Sequence, residues 1–512
     1  MWAAGATALL LNLLWARCLA SVSGDLAAQW AWADFAARHP GSAYDLAWYG
    51  GMHPASYSLL APGLMALLGV RTVAVASATA SAALLAVLVL RSPVRRPLPV
   101  VLWGAFALSC NVAAGRVTFA LGTGFALAAL VAAGGDRATG WRRVAGAAVF
   151  ALLATLGSPV AGLFVEVAAA ALLLTGRRRT GWALAVPPPL VVLATALLFP
   201  FTGIDPISAP TVAACVACSA AVLVVSPTSW RRIRAGAVLY ALGTVLTWAF
   251  DTPIGANVQR LGLLFGSVVA LAALCAGPAR SRLRLAALLA AFAATGCWTV
   301  SGNIVGLPAP TPSGRATGLV AELHRLPAGQ GRLEAVPMLN HWESWGLVDT
   351  ALLARGWNRQ VDVERNPLFY DGTLDAAGYH EWLRRWAVHY VALPEGATDD
   401  GGRAEAALIR SGPAWLEEVW HDRDWRLYRF TDAVPLAAPD ATVERADAAR
   451  VVLAVSAPGP VRVRIAWSPW LSVHGPGGAC LARDGDWTML DAPAPGNYRI
   501  DARYTWPRGT PC

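Results

Sequence analysis

The chain has 512 residues, of which 56% are hydrophobic and 14% charged, and its formal net charge at pH 7 is +9. This composition argues against a soluble protein and predicts a polytopic membrane protein. The basic residues are all arginine, and in the first half of the chain they lie in short segments between apolar runs. Such a distribution reports membrane topology and argues against a nucleic-acid-binding patch.

Eleven apolar runs follow one another in the first 302 residues. A helix that crosses a bilayer core needs about 20 such residues, and fewer where helices are short or paired. The predicted spans are 3–20, 72–90, 99–113, 116–133, 144–157, 160–175, 182–200, 211–226, 235–250, 259–277 and 285–302. The short run 56–70 contains Pro62 and Gly63, so it predicts an interfacial helix rather than a span.

Five alternate loops between these spans are triply basic. Their residues are Arg91, Arg95 and Arg96; Arg137, Arg142 and Arg143; Arg177, Arg178 and Arg179; Arg231, Arg232 and Arg234; and Arg280, Arg282 and Arg284. The intervening loops are nearly free of arginine. By the positive-inside rule, this alternation predicts a multi-pass plasma-membrane protein with a cytoplasmic N-terminus and an extracytoplasmic C-terminal domain. The segment 21–71 is then an exterior loop of the transmembrane domain 1–302.

The first run is the weakest of the predicted spans, because it is short and carries Asn12 and Arg17. A cleaved signal peptide would have a basic n-region and a clear A-x-A site, and the run has neither. It is therefore expected to be a retained helix.

The apolar runs end at residue 302, and the rest of the chain has a mixed, more charged composition. A Pro- and Gly-rich linker at 306–314 precedes two soluble regions. Residues 303–430 mix short strands with a helix and predict an α/β domain, and residues 431–512 alternate as strands do and predict a small β-sandwich. Cys480 and Cys512 fall in this exterior part, where an oxidising compartment favours a disulfide between them.

Asp25 follows the first predicted span directly, in the segment "SGDLAAQ". A carboxylate at the outer end of a membrane helix can accept a proton from an acceptor hydroxyl. A lipid-borne donor would meanwhile hold its phosphate at headgroup level. The same segment is a reasonable helix N-cap, so a purely structural role stands as an equal alternative.

Beyond Asp25 the loop passes Asp34 and Asp45 and continues as "WYGGMHPASYSLLAPGLMALLG". An acidic residue after the first helix, followed by this run in a long exterior loop, resembles the GT-C glycosyltransferase superfamily. The similarity is to its protein-mannosyltransferase-like and YfhO-like bacterial branches. The tail around "SPWLSV" also resembles the C-terminal β-domain of YfhO-like proteins, whereas the paired acids "DE" of some branches are absent.

The resemblance implies an enzyme that takes sugars from polyprenyl-phosphate carriers and builds glycans outside the membrane. It implies Asp25 as the general base, with Asp34 and Asp45 as weaker candidates. It also puts His53 and Tyr57, which lie in the matching run, in the substrate cavity.

Two arginines are exceptions to the scarcity of basic residues in the outer loops. Arg260 begins a span next to Asn257 and Gln259, and Arg116 lies between the third and fourth spans. Because a guanidinium matches the fork geometry of a phosphate, we expect these residues to hold the phosphate of the donor. The alternative is that the arginines snorkel towards lipid headgroups.

Glu166 is a carboxylate inside an apolar run. Placing such a group in the membrane costs roughly 2–3 kcal/mol, so it should face the bundle interior. There it would line the cavity or orient Arg116 or Arg260. A protonated structural acid, hydrogen-bonded to a neighbouring helix, is the equal alternative.

Trp342, Trp345 and Trp357 stand next to polar residues in "LNHWESWG" and "ARGWNRQ". Tryptophan can stack on the apolar face of a sugar, so these three are candidates for binding the acceptor. His341 and Glu343 do not have the spacing of a metal site, and no metal ligand is predicted. The need for a cofactor is left open.

The sequence thus predicts an inverting integral membrane glycosyltransferase. It would move a sugar from a polyprenyl-phosphate donor to an extracytoplasmic glycan or lipid. The chain has no P-loop, G-x-G-x-x-G, H-E-x-x-H or G-x-S-x-G motif, and its cytoplasmic loops are too short for a nucleotide-sugar domain. The alternatives are a transporter or flippase of a lipid-linked intermediate and a non-catalytic scaffold of envelope assembly.

Overall fold

A computed structural model of the full chain describes residues 1–20, 24–134, 140–278, 281–305, 307, 316–326 and 331–512. Most of the predicted linker 306–314, together with Arg137 and Arg280, lies outside the described residues. The chain divides into two compact units. We call Met1–Gln29 with Tyr57–Pro308 the helical unit, and Trp30–Ser56 with Ala309–Cys512 the sheet unit.

The helices are α1 Trp2–Cys18, α2 Gly24–Arg38, α3 Pro54–Tyr57, α4 Ala61–Leu68, α5 Val70–Leu90, α6 Pro97–Ala113, α7 Val117–Ala133, α8 Trp141–Gly157, α9 Pro159–Leu174, α10 Arg178–Ala185, α11 Pro187–Leu198, α12 Ala209–Val225, α13 Arg231–Ala249, α14 Arg260–Cys275, α15 Arg282–Ser301, α16 Thr317–Leu323, α17 Glu343–Gly346, α18 Arg359–Arg365, α19 Ala376–Arg385 and α20 Asp400–Arg410. The strands are β1 Arg332–Ala335, β2 Val388–Pro394, β3 Leu416–His421, β4 Trp425–Phe430, β5 Ala437–Ala438, β6 Ala441–Asp447, β7 Arg450–Val455, β8 Gly459–Ala466, β9 Leu471–His474, β10 Cys480–Asp484, β11 Trp487–Ala492 and β12 Gly496–Ala502. Two 3-10 helices, Gly255–Gln259 and Pro367–Phe369, complete the set.

Each predicted span of the helical unit contains a helix. Within the described residues, four segments are long and apolar enough to cross a membrane: Val70–Leu90, Arg178–Leu198, Gly255–Cys275 and Arg282–Ser301. Four shorter apolar helices accompany them: Pro97–Ala113, Val117–Ala133, Pro159–Leu174 and Ala209–Val225. The membrane character of the chain is therefore supported, whereas a crossing by all eleven spans stays a prediction.

Small side chains and one buried amide hold the helical unit together. The Asn12 side chain of α1 donates to Ala8 O at 2.7 Å and to Ser109 Oγ of α6 at 2.9 Å, which accounts for a polar residue in the first apolar run. On α7, a Cβ added at Gly122 would come within 2.7 Å of the Ala161 Cβ atom, so glycine is required there. Close approach through small residues is the usual way in which membrane helices pack.

The sheet unit contains a mixed four-stranded sheet in the order β1-β2-β4-β3, in which β1 pairs parallel to β2. The strands predicted in "GRLEAVP", "VHYVALP" and "WLEEVWHDRDWRLYRF" are confirmed as β1, β2 and the β3–β4 pair. The helix predicted in "YHEWLRRWAV" is confirmed as α19. One buried cation holds this region: the Arg355 guanidinium contacts the carboxylates of Glu334 and Glu405.

Two antiparallel four-stranded sheets follow, in the orders β10-β11-β8-β5 and β6-β7-β12-β9. Buried residues alternate along β7 and β8, as in Val451, Leu453, Val461 and Val463, which is the pattern of sheets that each cover one face of a core. Cys480 of β10 and Cys512 form a disulfide, with their Cα atoms 4.9 Å apart.

The segment Trp30–Ser56, predicted as part of an exterior loop of the transmembrane domain, belongs to the sheet unit. Backbone hydrogen bonds explain this placement: Ala43 N donates to Ala502 O at 3.0 Å, and Leu46 N donates to Ala448 O at 2.8 Å. The segment is therefore hydrogen-bonded to the end of β12 and to the turn between β6 and β7, and it is not a free loop.

His53 lies buried in the same segment with both ring nitrogens engaged. Nδ1 contacts Ala43 O at 2.8 Å, and Nε2 contacts Ser468 Oγ at 3.0 Å. A carbonyl oxygen only accepts, so Nδ1 carries the proton and Nε2 accepts from the serine hydroxyl. His53 is therefore neutral, and both partners belong to the sheet unit.

We expect His53 to destabilise the sheet unit in acid. Burial lowers the pKa of His53 to about 4, below the ordinary value near 6.5. Below about pH 6.5, His53 therefore takes up a proton in the unfolded chain but stays neutral in the folded chain. Because the unfolded state binds more protons, the free energy of unfolding falls by about 2 kcal/mol between pH 7 and pH 5. Thermal unfolding of the wild type and His53→Gln at the two pH values measures this. An equal acid shift in both proteins would contradict the assignment.

Candidate active site

The candidate site lies in the helical unit at the ends of four helices. It is formed where α6 ends, α7 and α14 begin, and α15 ends. The opposite ends of these helices lead to the basic segments that contain Arg96, Arg142 and Arg282. The site and the basic segments therefore lie at opposite ends of these helices.

Asp25 stands at the centre of the site, in the first turn of α2. Its Oδ2 atom lies 3.5 Å from Arg116 Nε and 3.6 Å from Arg260 Nη2. The Asp25 side chain is 31% exposed, and those of Arg116 and Arg260 are 17% and 19% exposed, so all three groups can be reached from outside. Both arginine separations exceed normal hydrogen-bond distances, so the guanidinium donors are not used up by the carboxylate.

Arg116 is held by a chain of polar contacts. Its Nη1 atom donates to Asn303 Oδ1 at 2.7 Å, and Asn303 Nδ2 donates to Thr299 O of α15 at 2.6 Å. The Nε atom of Arg116 is buried and has no hydrogen-bond partner among the described residues. The anion nearest to this nitrogen is the Asp25 carboxylate, at 3.5 Å.

Arg260 is positioned by an aromatic ring and by a tight loop. Its guanidinium carbon lies 5.3 Å from the centre of the Phe119 ring of α7, which is cation–π distance. The preceding 3-10 helix is fixed by Asp205, whose Oδ2 accepts from Ala256 N at 3.2 Å. Gly255 has a φ of +47°, and a Cβ there would come within 2.2 Å of Asp205 O, so the loop requires glycine.

A second layer of hydrogen bonds lies one turn along α2 from Asp25. The Gln29 side chain, 1% exposed, accepts at Oε1 from Thr118 N at 3.2 Å and from Thr118 Oγ1 at 2.6 Å. Gln29 Nε2 donates to the Tyr57 hydroxyl. Burial raises the pKa of Tyr57, and the negative charge of Asp25 raises it further, so the hydroxyl stays protonated at neutral pH.

The cluster therefore combines a carboxylate with two guanidinium groups and one positive charge in excess. Guanidinium groups with unused donors bind phosphate oxygens well. A partly exposed carboxylate beside them can take a proton from a bound hydroxyl. These are the requirements for removing a phosphate leaving group from a substrate while a hydroxyl is activated.

Of the two carboxylates predicted to act in catalysis, the structure brings only Asp25 to this cluster. Asp34 lies nine residues further along α2, about 13 Å away at 1.5 Å per residue. In the sheet unit its Oδ2 atom accepts from Trp345 Nε1 at 2.6 Å. Asp45 also belongs to that unit, where its carboxylate is buried and accepts from Ala47 N at 2.9 Å. His53 and Tyr57 were both predicted to line the substrate cavity. Tyr57 belongs to the site in the helical unit, where it contacts Gln29, whereas His53 belongs to the sheet unit.

Three other predicted residues of the helical unit form no hydrogen bond or ion pair with Asp25. Asn257 and Gln259 lie in the 3-10 helix before Arg260, and their side chains form no hydrogen bond or ion pair with a described residue. Glu166 of α9 has no ion-pair partner in the described part of the chain, and its Oε1 atom is buried and unpaired. The contacts thus do not support the prediction that Glu166 orients either arginine.

The three tryptophans predicted to bind the acceptor lie in the sheet unit and contact other aromatic rings. Trp345 packs on Trp30 with ring centres 4.6 Å apart, and Trp342 meets Trp345 edge to face. Trp357 stacks on the buried His341 ring at 3.4 Å. All three are half-buried, so part of each ring stays accessible and an acceptor role remains a prediction.

Sequence reasoning missed Gln29, Thr118, Asn303 and Asp205. Gln29 could have been identified from the sequence, because it lies four residues after Asp25 and so on the same face of a helix. Asp205 is an acid in an outer loop that lacks arginine. Thr118 and Asn303 gave no signal, since their role depends on the packing of α7 and α15 against distant parts of the chain.

Among the residues that the structure describes, no group of three or more His, Cys, Asp or Glu side chains is arranged to hold a metal ion. A family described as "Domain of unknown function (DUF8823)" matches residues 438–512, which contain most of the two antiparallel sheets. That description names no activity. No curated protein matches the sequence.

Among solved structures, the chain is similar to the arabinofuranosyltransferase AftD from Mycobacteria, determined by single-particle cryo-EM. The identity is 14% and the TM-score 0.45, and the similarity covers 98% of this chain and 59% of that one. The chain thus spans well under two thirds of the length of AftD.

The charge balance of the site predicts opposite effects of its acidic and basic residues on anion binding. Replacing Arg116 or Arg260 by Gln removes charge-assisted hydrogen bonds and should weaken binding of dodecyl phosphate about tenfold or more. Asp25→Asn removes the competing negative charge and should strengthen it. Isothermal titration of the purified protein in detergent measures both effects.

The matched control is Arg284→Gln, because Arg284 lies at the other end of α15 and donates to Val225 O. Its affinity for dodecyl phosphate should equal that of the wild type. Weaker binding in Asp25→Asn, or equal losses in all three arginine variants, would contradict the assignment of an anion site.

Proposed function

We propose that the chain is an integral membrane glycosyltransferase of the GT-C type. It transfers a sugar from a polyprenyl-phosphate carrier to an extracytoplasmic glycan or lipid acceptor. The observation that carries the proposal is the convergence of Arg116 and Arg260 on one oxygen of Asp25, at 3.5 and 3.6 Å. The sequence resemblance around Asp25 and the loop that follows supports the same reaction class.

The proposed reaction is a single displacement with inversion. Asp25 takes the proton of the acceptor hydroxyl, and the acceptor oxygen forms a bond to the anomeric carbon of the sugar. The bond between that carbon and the phosphate oxygen breaks, and polyprenyl phosphate leaves with its electron pair. The leaving phosphate gains negative charge, which Arg116 and Arg260 stabilise more strongly in the transition state than in the bound donor.

A membrane-borne donor fits the location of the cluster. The site lies at the ends of apolar helices, where a lipid phosphate would be at headgroup depth with its chain among the helices. In the proposed topology the basic segments are cytoplasmic, and the site and the sheet unit are extracytoplasmic. The oxidised Cys480–Cys512 pair is in keeping with that compartment.

Asp25→Asn should abolish sugar transfer while leaving the protein folded. Loss of a general base typically lowers turnover about 100- to 10,000-fold. The assay is transfer of radiolabelled sugar from polyprenyl-phosphate donors, in membranes of a deletion strain that carries either the wild type or the variant. Immunoblotting confirms equal amounts of protein.

Asp34→Asn is the matched control, because the new amide oxygen still accepts from Trp345 and Asp34 belongs to the sheet unit, outside the Asp25 cluster. It should keep turnover within about threefold of the wild type, as expected for a residue outside the reacting groups. Full activity of Asp25→Asn, or loss of activity in Asp34→Asn alone, would overturn the assignment. Absence of transfer by the wild type from every polyprenyl monophosphate tested would favour a non-catalytic scaffold.

A further inference from the structure

We propose that Gln29, Tyr57 and Thr118 form a positioning network, the clasp, that holds Asp25 against its two arginines. This inference rests on the proposed site and concerns three uncharged residues, of which only Tyr57 lies in the run that resembles the family.

The orientation of the Gln29 amide is fixed by its partners. Thr118 N and Thr118 Oγ1 both donate to the same Gln29 oxygen, at 3.2 and 2.6 Å. The amide nitrogen must therefore point the other way, and it donates to the Tyr57 hydroxyl. A flipped amide would place its N–H groups against the Thr118 backbone N–H, which can only donate, so only one orientation satisfies all the groups.

The clasp joins three separate parts of the helical unit. Gln29 belongs to α2, Tyr57 ends α3, and Thr118 lies in the first turn of α7. The chain leaves the helical unit after Gln29 and returns to it at Tyr57. The hydrogen bond between Gln29 and Tyr57 therefore connects the last residue before the chain leaves the helical unit with the first residue after it returns. The hydrogen bonds from Thr118 connect Gln29 to α7.

Each member of the clasp is tied to a charged group of the site. Gln29 follows Asp25 by one helical turn, so both side chains lie on the same face of α2. Thr118 follows Arg116 by two residues, and its neighbour Phe119 packs against Arg260. Sliding α2 against α7 by one ångström would change the distances from Asp25 to both arginines. Such a misplacement can cost about a hundredfold in rate.

A positioning role for the clasp and a purely structural role predict different effects of substitution on turnover and on stability. A bond that only stabilises the fold would lower the melting temperature and leave the chemistry of the surviving protein unchanged. A positioning network instead lowers turnover and spares binding of the phosphate, because the arginines keep their own anchors in Asn303 and Phe119. The two roles are separated by comparing turnover with affinity.

Thr118→Val and Thr118→Ser are the decisive pair of variants. Valine keeps the shape and the backbone N–H but removes the hydroxyl, whereas serine keeps both donors to Gln29. Thr155→Val is the control, because the buried Thr155 hydroxyl donates only within its own helix, to Ala151 O at 3.0 Å. For sugar transfer we expect Thr118→Val to lower kcat about tenfold or more without raising the KM for the donor. We expect Thr118→Ser and Thr155→Val to behave as the wild type.

A double-mutant cycle with dodecyl phosphate tests the clasp without any transfer reaction. If Thr118→Val releases Asp25 from the arginines, it should strengthen phosphate binding in the same direction as Asp25→Asn, by up to about threefold. The double variant should then bind no more tightly than Asp25→Asn alone, since both changes remove the same competition.

The outcomes separate the two proposals. Transfer that is absent in the wild type, with a non-additive binding cycle, would reject the enzyme and keep the clasp. An additive cycle, or a Thr118→Val variant that loses thermal stability while keeping full kcat, would reject the clasp and keep the enzyme. Equal losses of kcat in Thr118→Val and Thr155→Val would also reject the clasp, because the effect would then come from removing any buried threonine hydroxyl.

Discussion

The account depends on one electrostatic arrangement: a single carboxylate oxygen of Asp25 shared by two guanidinium groups at the ends of apolar helices. Such charges are costly in these surroundings unless they are paired, and each here has a specific support. Arg116 is anchored through Asn303, Arg260 through the Phe119 ring, and Asp25 through its neighbours on α2. The excess positive charge then makes the cluster suited to an anion, and the partly exposed carboxylate can take a proton from a hydroxyl bound beside that anion.

The polypeptide around the cluster serves mainly to fix these distances. Alanine and glycine allow the helices to approach closely, as at Gly122, where a larger residue would force α7 away from the helix that contains Ala161. A rigid frame of this kind matters because catalysis depends on separations of a few tenths of an ångström. The sheet unit has a different means of stabilisation, with a buried arginine, Arg355, among carboxylates and a disulfide near the end of the chain.

Patterns of hydrophobicity and charge predicted much of the fold, because helix length and arginine placement are local properties of a membrane chain. They also singled out Asp25, Arg116 and Arg260, since each is an ionisable residue where the pattern disfavours one. They misjudged Trp30–Ser56, whose hydrogen bonds to Ala448 and Ala502 join residues some 400 positions apart. For the same reason they could not find Thr118 or Asn303, which acquire their roles only through packing.

The most direct measurement is a cryo-EM structure of the protein with a polyprenyl monophosphate bound. The account predicts that the phosphate contacts the guanidinium groups of both Arg116 and Arg260, with Asp25 beside the position that the anomeric carbon would occupy. Phosphate bound instead at the basic segments around Arg96 or Arg282, with the Asp25 cluster unchanged, would contradict it. In that case the three charged residues would form a structural ion pair and the reaction would have to be sought elsewhere in the chain.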